Sequence, residues 1–400
     1  MTAVELLKSY SGNSAEQYEP CFRFSESTRI ISVDIYAVGT DSTTVRYSGL
    51  EEAKNEVNNI LRITTADGFE GISGVDSFHD GGFSDEVLIE LQNVARELGA
   101  VQTLDPVEVG TLLEQTRPDL SDMARSSVDI ALWDLAARKA GCPLSEMLGA
   151  QRDSMAYYAS LPFYDSLYEY VDAVHQYGKI GHAVFKFHVW GLIEKDIRLV
   201  EVLQQKFAGS DYRFMVDLEE KYDLNDALRL GEQMDNGMFV WLEAPLSDAL
   251  LGQYAELSRK LTTQIVPDGY SYYSPEFIRK GIEAGSWGAG RFDATNVGGI
   301  SKALELLTIA NDASLPIEIQ SWGHSLAQAA NLHLALANER TRFFEAPMPT
   351  EAFEFGMKNG NLLEQGRVVA PARPGLGISV DWDRLPAADF YVCSTPGFGE

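Results

Sequence analysis

Apolar positions recur along the chain with two different periods, and the switch between them divides it into units. Residues 1–28 are polar and carry no clear period, so they are read as an extension that packs on the body of the protein or on a neighbour. From Thr28, TRIISVDIYAV alternates apolar and polar positions as a half-buried strand does, and GFEGISGV at 68–75 gives a second strand flanked by glycines. Segments 85–99, 105–116 and 122–140 place apolar residues three and four apart, the buried stripe of a helix, and Gly141 with Pro143 ends the last of them. Residues 29–150 are therefore expected to form an α+β domain.

Beyond residue 151 the pattern becomes a repeated alternation of short apolar runs with amphipathic helices, as βα units around a parallel sheet require. The candidate strands are MAYYAS, HAVFKFH, YRFMVD, FVWLEA, TQIVPD, GRFDA, LPIEIQ and RFFEA. Eight such units predict a barrel over 151–370, followed by a terminal segment at 371–400.

A polar residue ends or follows most of these strands: Lys186, Asp217, Glu243, Asp268, Asp293, His324 and Glu345, at successive gaps of 31, 26, 25, 25, 31 and 21 residues. In a (β/α)8 barrel the C-terminal ends of all strands meet on one face, so this register places seven polar side chains around one pocket. Any one of them alone could be a solvated strand end; seven in register make coincidence hard to sustain.

Charge and cysteine content narrow the function classes. The chain of 400 residues has a formal net charge of -27, which opposes binding to phosphate backbones and argues against a nucleic-acid partner. An anionic ligand would need local cations, from a metal or from Lys and Arg in the pocket. The three cysteines, Cys21, Cys142 and Cys393, are scattered and lack CxxC spacing, so neither a disulfide framework nor a zinc site is expected. With no basic and apolar leader and no run of 18 apolar residues, a cytoplasmic protein without membrane contact is expected.

Asp217, Glu243 and Asp268 on three consecutive strand ends offer hard oxygen ligands, for which Mg²⁺ fits best and a structural calcium is the alternative. Lys186 and His188, two apart on one strand, can both face inward. Asp293 and His324 fall on neighbouring strands, where an aspartate fixes an imidazole's tautomer and raises its basicity. Proton carriers are thus expected on both faces of a bound ligand, the plainer reading being that His188 is a packed core imidazole and Lys186 an electrostatic contact.

Four segments carry a resemblance: SVDIALWDLAARKAGCPLSEMLG at 127–149, FDATNVGGISKALEL at 292–306, QSWGHSLAQAANLHLALA at 320–337 and APARPGLGISVD at 370–381. Together they resemble the mandelate racemase subgroup of the enolase superfamily, from about Arg29 to the C-terminus. The resemblance implies a modified TIM barrel, (β/α)7β, with an N-terminal α+β capping domain to which the last segment returns. It implies that Asp217, Glu243 and Asp268 are magnesium ligands, that Lys186 and Glu345 contact a substrate carboxylate, and that Asp293 with His324 forms a catalytic dyad. The superfamily's chemistry, a Lys or His base with Mg²⁺ stabilising an enediolate, is a worked example of proton abstraction next to a carboxylate.

Three positions depart from the subgroup's pattern. His188 stands where a second lysine is usual, Asp268 is shorter than the glutamate of mandelate racemase, and Glu219 occupies a position often held by Asn. Glu219 is therefore a candidate substrate contact, with exposure to solvent as the alternative. Two glycine- and serine-rich stretches are candidate lids: 71–86, with Phe78 and His79 as substrate contacts, and 38–49, with Arg46. The expected function is dehydration of a small anionic acid sugar to a 2-keto-3-deoxy acid by a homo-oligomer. The alternatives are racemisation or epimerisation of a 2-hydroxy acid, and a non-catalytic ligand-binding relative.

Overall fold

A computed structural model of the chain describes residues 1–12, 15–39, 57–76, 85–235, 237–269, 273–385 and 392–394. The candidate lid residues Arg46, Phe78 and His79 lie outside these described residues.

The first unit is an antiparallel sheet of β1 (Ile30–Gly39), β2 (Val57–Thr65) and β3 (Glu70–Asp76). One face, with Val33, Ile35, Leu61 and Ile63, packs on the helices Asp85–Leu98, Pro106–Thr116 and Asp122–Ala140. The other, with Val38, Ile60 and Ile72, joins the core shared with the second unit. The sequence pattern yields only two of these strands. In β2, Asn58 and Asn59 are buried alongside Ile60 and Leu61, so the polar residues at the start of the strand do not mark a solvent face.

The extension packs on the body. Thr2 and Glu5 form a capping box that starts a helix at Ala3–Ser11, and Gly12 ends it at φ 67°. Nine residues are too few to hold a helix in water, so burial of Ala3, Leu6 and Leu7 stabilises it. The Ala3 amide donates to Asp105 at 2.8 Å, and Phe22 meets Trp133 edge-on at 5.6 Å.

Among the described residues the second unit has eight strands and seven intervening helices: β4 (Ser154–Leu161), β5 (Val184–His188), β6 (Arg213–Asp217), β7 (Phe239–Glu243), β8 (Gln264–Val266), β9 (Gly290–Phe292), β10 (Ile317–Ile319) and β11 (Phe343–Pro347). Strands β4 to β8 pair in parallel and in order, β9 pairs with β10, and β11 returns to β4 to close the ring. All eight coincide with the apolar runs read from the sequence. Their near-continuous hydrophobicity reflects burial on both sides, under helices outside and inside the barrel core. A hairpin of β12 (Leu363–Glu364) and β13 (Arg367–Val369) adds to β4, and β14 (Val392–Ser394) pairs with β1 of the first unit. Among the described residues no helix is long and apolar enough to cross a membrane.

Candidate active site

Four of the seven strand-end residues, Lys186, Asp217, Glu243 and Glu345, meet in direct contact. Lys186, 1% exposed near the end of β5, places its ammonium 3.1 Å from Asp217 Oδ2, 2.9 Å from Glu243 Oε1 and 2.9 Å from Glu345 Oε1. Burial alone would lower the lysine's pKa, but Glu243, Glu345, Tyr158 and Asp217 outweigh it and hold it well above the ordinary value. Lys186 is therefore held in its charged form here rather than poised as a base.

The carboxylates respond to the same contacts. Burial works to raise the Asp217 carboxyl, but Lys186, His188 and the Glu219 amide, which donates to Oδ1 at 3.0 Å, hold it below the usual range. Burial likewise opposes ionisation of Glu345, and Lys186 with Arg291 overcomes it, leaving the carboxyl at about 2. Glu243 is pushed up by burial against the pull of Arg291 and Lys186, and its Oε2 accepts from Trp241 Nε1 at 2.9 Å.

Asp268, partly buried after β8, joins this group through charge. Burial raises its carboxyl well above the usual range, and Asp217, Asp248 and Glu243 raise it further. Its backbone is held by the buried Asp248, whose Oδ1 accepts from the Asp268 amide at 3.0 Å and whose Oδ2 accepts from the Gly269 amide at 3.1 Å. Gly269 has φ 96°, and a Cβ there would come within 3.1 Å of Arg291 O, so only glycine lets this turn close against β9.

Among the described residues no three His, Cys, Asp or Glu side chains are drawn together into a metal cage. Two of the expected ligands, Asp217 and Glu243, share the Lys186 ammonium instead. The donor chemistry fits a hard divalent cation all the same. Asp217 and Glu243 both raise the cost of ionising Asp268, and Asp217 raises that of Glu243, so a divalent cation among these hard oxygens would relieve their repulsion.

His188 is 6% exposed; its Nδ1 lies 3.0 Å from the Leu161 carbonyl and its Nε2 lies 3.4 Å from Asp217 Oδ2. Because a carbonyl only accepts, Nδ1 carries the proton and Nε2 faces the carboxylate. On neighbouring strands, Asp293 follows β9 and His324 caps the helix Ser325–Ala337 after β10. Three donors converge on Asp293 Oδ1: the Thr295 amide at 2.7 Å, Thr295 Oγ1 at 2.8 Å and Asn331 Nδ2 at 2.7 Å. His324 is 3% exposed and meets the Phe353 ring edge-on at 6.0 Å.

Glu219 is partly exposed and ion-paired with Lys221, whose Nζ also donates to the Val189 carbonyl at 3.2 Å. Glu219, Glu220 and Ala244, just past the ends of β6 and β7, have φ of 47°, 60° and 45°. Such backbone costs about 1–3 kcal/mol per residue, and here it clusters beside Asp217 and Glu243.

Two residues outside the seven-residue register also shape the site. Arg291 is completely buried and lies between Glu243 and Glu345, and Asp248 fixes Asp268. Arg291 is legible in hindsight: in GRFDA it stands two residues before Asp293 and so faces the same side of the strand. Asp248 lies in a loop with no periodic signal.

Residues 32–149 match the mandelate racemase/muconate lactonizing enzyme N-terminal domain, and residues 169–384 match the enolase C-terminal domain-like family. Over 349 residues the chain is 26% identical to o-succinylbenzoate synthase of Listeria innocua, covering 82% of this chain and 88% of that one. It is 27% identical to L-talarate/galactarate dehydratase of Salmonella typhimurium over 80% of each chain. A structure of that dehydratase liganded with magnesium and L-lyxarohydroxamate shares the fold, with a TM-score of 0.81 over 92% of this chain and 95% of that one, at 24% identity. A solved Pseudovibrio sp. protein assigned to the mandelate racemase/muconate lactonizing enzymes is 33% identical, with a TM-score of 0.86 over 92% of this chain and 99% of that one. The chain belongs to the enolase superfamily, in its mandelate racemase/muconate lactonizing enzyme branch.

Proposed function

We propose that this protein is a magnesium-dependent hydro-lyase that dehydrates an acid sugar, an aldonic or aldaric acid, to a 2-keto-3-deoxy acid. The observation that carries the reading is the Lys186 ammonium, buried and held charged among Asp217, Glu243 and Glu345. A buried cation so placed is suited to pair with a carboxylate and with the negative charge that develops on it.

In this reading Asp217, Glu243 and Asp268 hold the magnesium ion. Bound there, the ion would supply Lewis-acid stabilisation of the negative charge that forms on the substrate carboxylate. Lys186 binds one carboxylate oxygen of the substrate and Glu345 orients that contact. His188 or His324 takes the proton from the alpha carbon, giving an enediolate. His324, with Asp293 as its dyad partner in this reading, then delivers a proton to the beta hydroxyl, which leaves as water, and the enol product becomes the 2-keto-3-deoxy acid. Elimination needs one base and one acid, whereas racemisation needs a competent base on each face. A second lysine on β5 would favour racemisation; His188, with Nε2 turned toward Asp217, favours elimination.

The test is a screen of aldonic and aldaric acids with Mg²⁺ for keto-acid formation, repeated in deuterium oxide. A keto acid that is lost in His324→Asn supports the reading. Absence of a 2-keto product from every acid sugar, with deuterium entering recovered substrate at the alpha carbon, would replace it with racemisation or epimerisation.

A further inference from the structure

Among the described residues, Arg291 and Lys186 are the cations that pair with both Glu243 and Glu345. It is 0% exposed, with Nε 3.0 Å from Glu243 Oε1 and Nη2 2.9 Å from Glu345 Oε2 and 3.1 Å from Tyr158 Oη. Its strand, β9, stands two strands from β7 and two from β11, so the guanidinium crosses the barrel interior to bridge residues on opposite sides. Stability does not account for it, because a buried ion pair is on the whole no more stabilising than an apolar side chain of equal size.

We propose that Arg291 is a positioning residue that aligns Glu345 with Lys186 for carboxylate binding and, as a fixed positive charge on Glu243, restrains the affinity of the site for a divalent cation. The inference rests on the magnesium role of Glu243 proposed above. Both oxygens of Glu243 are already engaged: Oε1 by Lys186 and Arg291, Oε2 by Trp241 Nε1. A cation binding Glu243 competes with these contacts. Lys186 is a flexible ammonium that can turn to a substrate, but Arg291 keeps its proton at any working pH and has the Gly269 turn closed against its backbone and Cγ. Two like charges sharing one carboxylate repel over a few ångströms, so arginine lowers metal affinity while it holds Glu345 in place.

The test titrates Mn²⁺, as a hard divalent probe, into the metal-free full-length protein by electron paramagnetic resonance, and then titrates the dicarboxylate tartronate into the Mn²⁺-loaded protein by calorimetry. Arg291→Gln is expected to bind Mn²⁺ about tenfold more tightly and tartronate about tenfold more weakly. Arg291→Lys, which keeps the charge, stays near the wild type for Mn²⁺. Opposite shifts are the discriminating result, since a general disruption of the barrel weakens both ligands. Unchanged or weaker Mn²⁺ binding in Arg291→Gln overturns the proposal. Should Arg291→Gln fail to fold, Arg291→Gln/Glu345→Gln is compared with Glu345→Gln: tighter Mn²⁺ in the double variant supports the proposal, and equal or weaker binding overturns it. Wild-type protein that binds no Mn²⁺, or that binds it undiminished as Asp268→Asn, instead refutes the magnesium assignment, and the role of Arg291 falls with it.

Discussion

The Lys186 ammonium lies 2.9 Å from Glu345 Oε1, joining strands that flank β4 on either side, and the same nitrogen is 2.9 Å from Glu243 Oε1 across the barrel. One cation thus ties together the carboxylates of three separate strands, counting Asp217 on β6. The arrangement makes Lys186 the shared counter-charge of these three carboxylates.

Lys186→Met should therefore affect stability and function in different ways. Three buried carboxylates lose their shared partner, which should cost the metal-free protein about 3 kcal/mol in urea unfolding with chelator present. Catalysis of keto-acid formation should fall by roughly a thousandfold, because a preorganised charge at the reacting carboxylate is lost. Unaltered turnover in the folded variant would remove Lys186 from the mechanism.

The two histidines can be separated by isotope. If His188 is the base, His188→Asn abolishes both deuterium entry at the alpha carbon and product formation. If His324 serves as base and acid, His188→Asn retains turnover within about tenfold, while His324→Asn loses at least about a hundredfold. In either case, Mn²⁺ affinity should be unchanged in His324→Asn, which lies outside the ligand set.

Acid sensitivity should trace in part to His333. This ring is fully buried, its Nδ1 accepts from the Ser145 amide at 2.9 Å, and burial lowers its pKa from 6.5 to about 4. Above pH 6.5 the ring is neutral in both folded and unfolded chains and contributes no pH dependence. As pH falls from 6.5 toward about 4 the unfolded chain takes up the proton first, so stability is lost over that window. The full loss is about 3 kcal/mol. Urea midpoints measured between pH 7.5 and 4.5 should fall less steeply in His333→Asn, and parallel curves would show that another group controls the acid limb.

Removal of side chains from the N-terminal helix should loosen the junction of cap and barrel. Leu6 is 3% exposed, and its helix packs on the barrel helix Ile300–Asp312. Leu6→Ala is expected to cost about 3 kcal/mol, read from thermal or urea unfolding. A loss below about 0.5 kcal/mol would mean that the extension is a surface appendage.

Magnesium dependence has a direct check. Chelation should abolish keto-acid formation and added Mg²⁺ should restore it, with Asp268→Asn requiring at least tenfold more metal because one hard oxygen ligand loses its charge. Restoration by monovalent salt alone would exclude the proposed metal role.

The barrel was legible because its strands are short, apolar and regularly spaced, and because a polar residue ends or follows most of them. That register follows from local sequence: a strand buried on both sides must be apolar throughout, and the polar group can appear only where the strand emerges. Strand β2 was not legible, since the polar Asn58 and Asn59 are buried and so break the expected alternation of apolar and solvent-facing positions. The Ala3–Ser11 helix was likewise missed, although TAVE carries its capping box, because so short a helix depends on the surface it packs against.

Local pattern thus specified which residues stand at the strand ends and, through their types, what chemistry they can perform. It could not specify which oxygen meets which nitrogen. That Lys186 binds three carboxylates at once, that Arg291 reaches from β9 to Glu243 and Glu345, and that Asp248 pins the backbone of Asp268 depend on closure of the ring. Closure brings Lys186 and Glu345, 159 positions apart, within ion-pair distance. Periodicity records the burial of each segment separately, whereas the partner of a charge is fixed only when the segments that carry both are packed around a common interior.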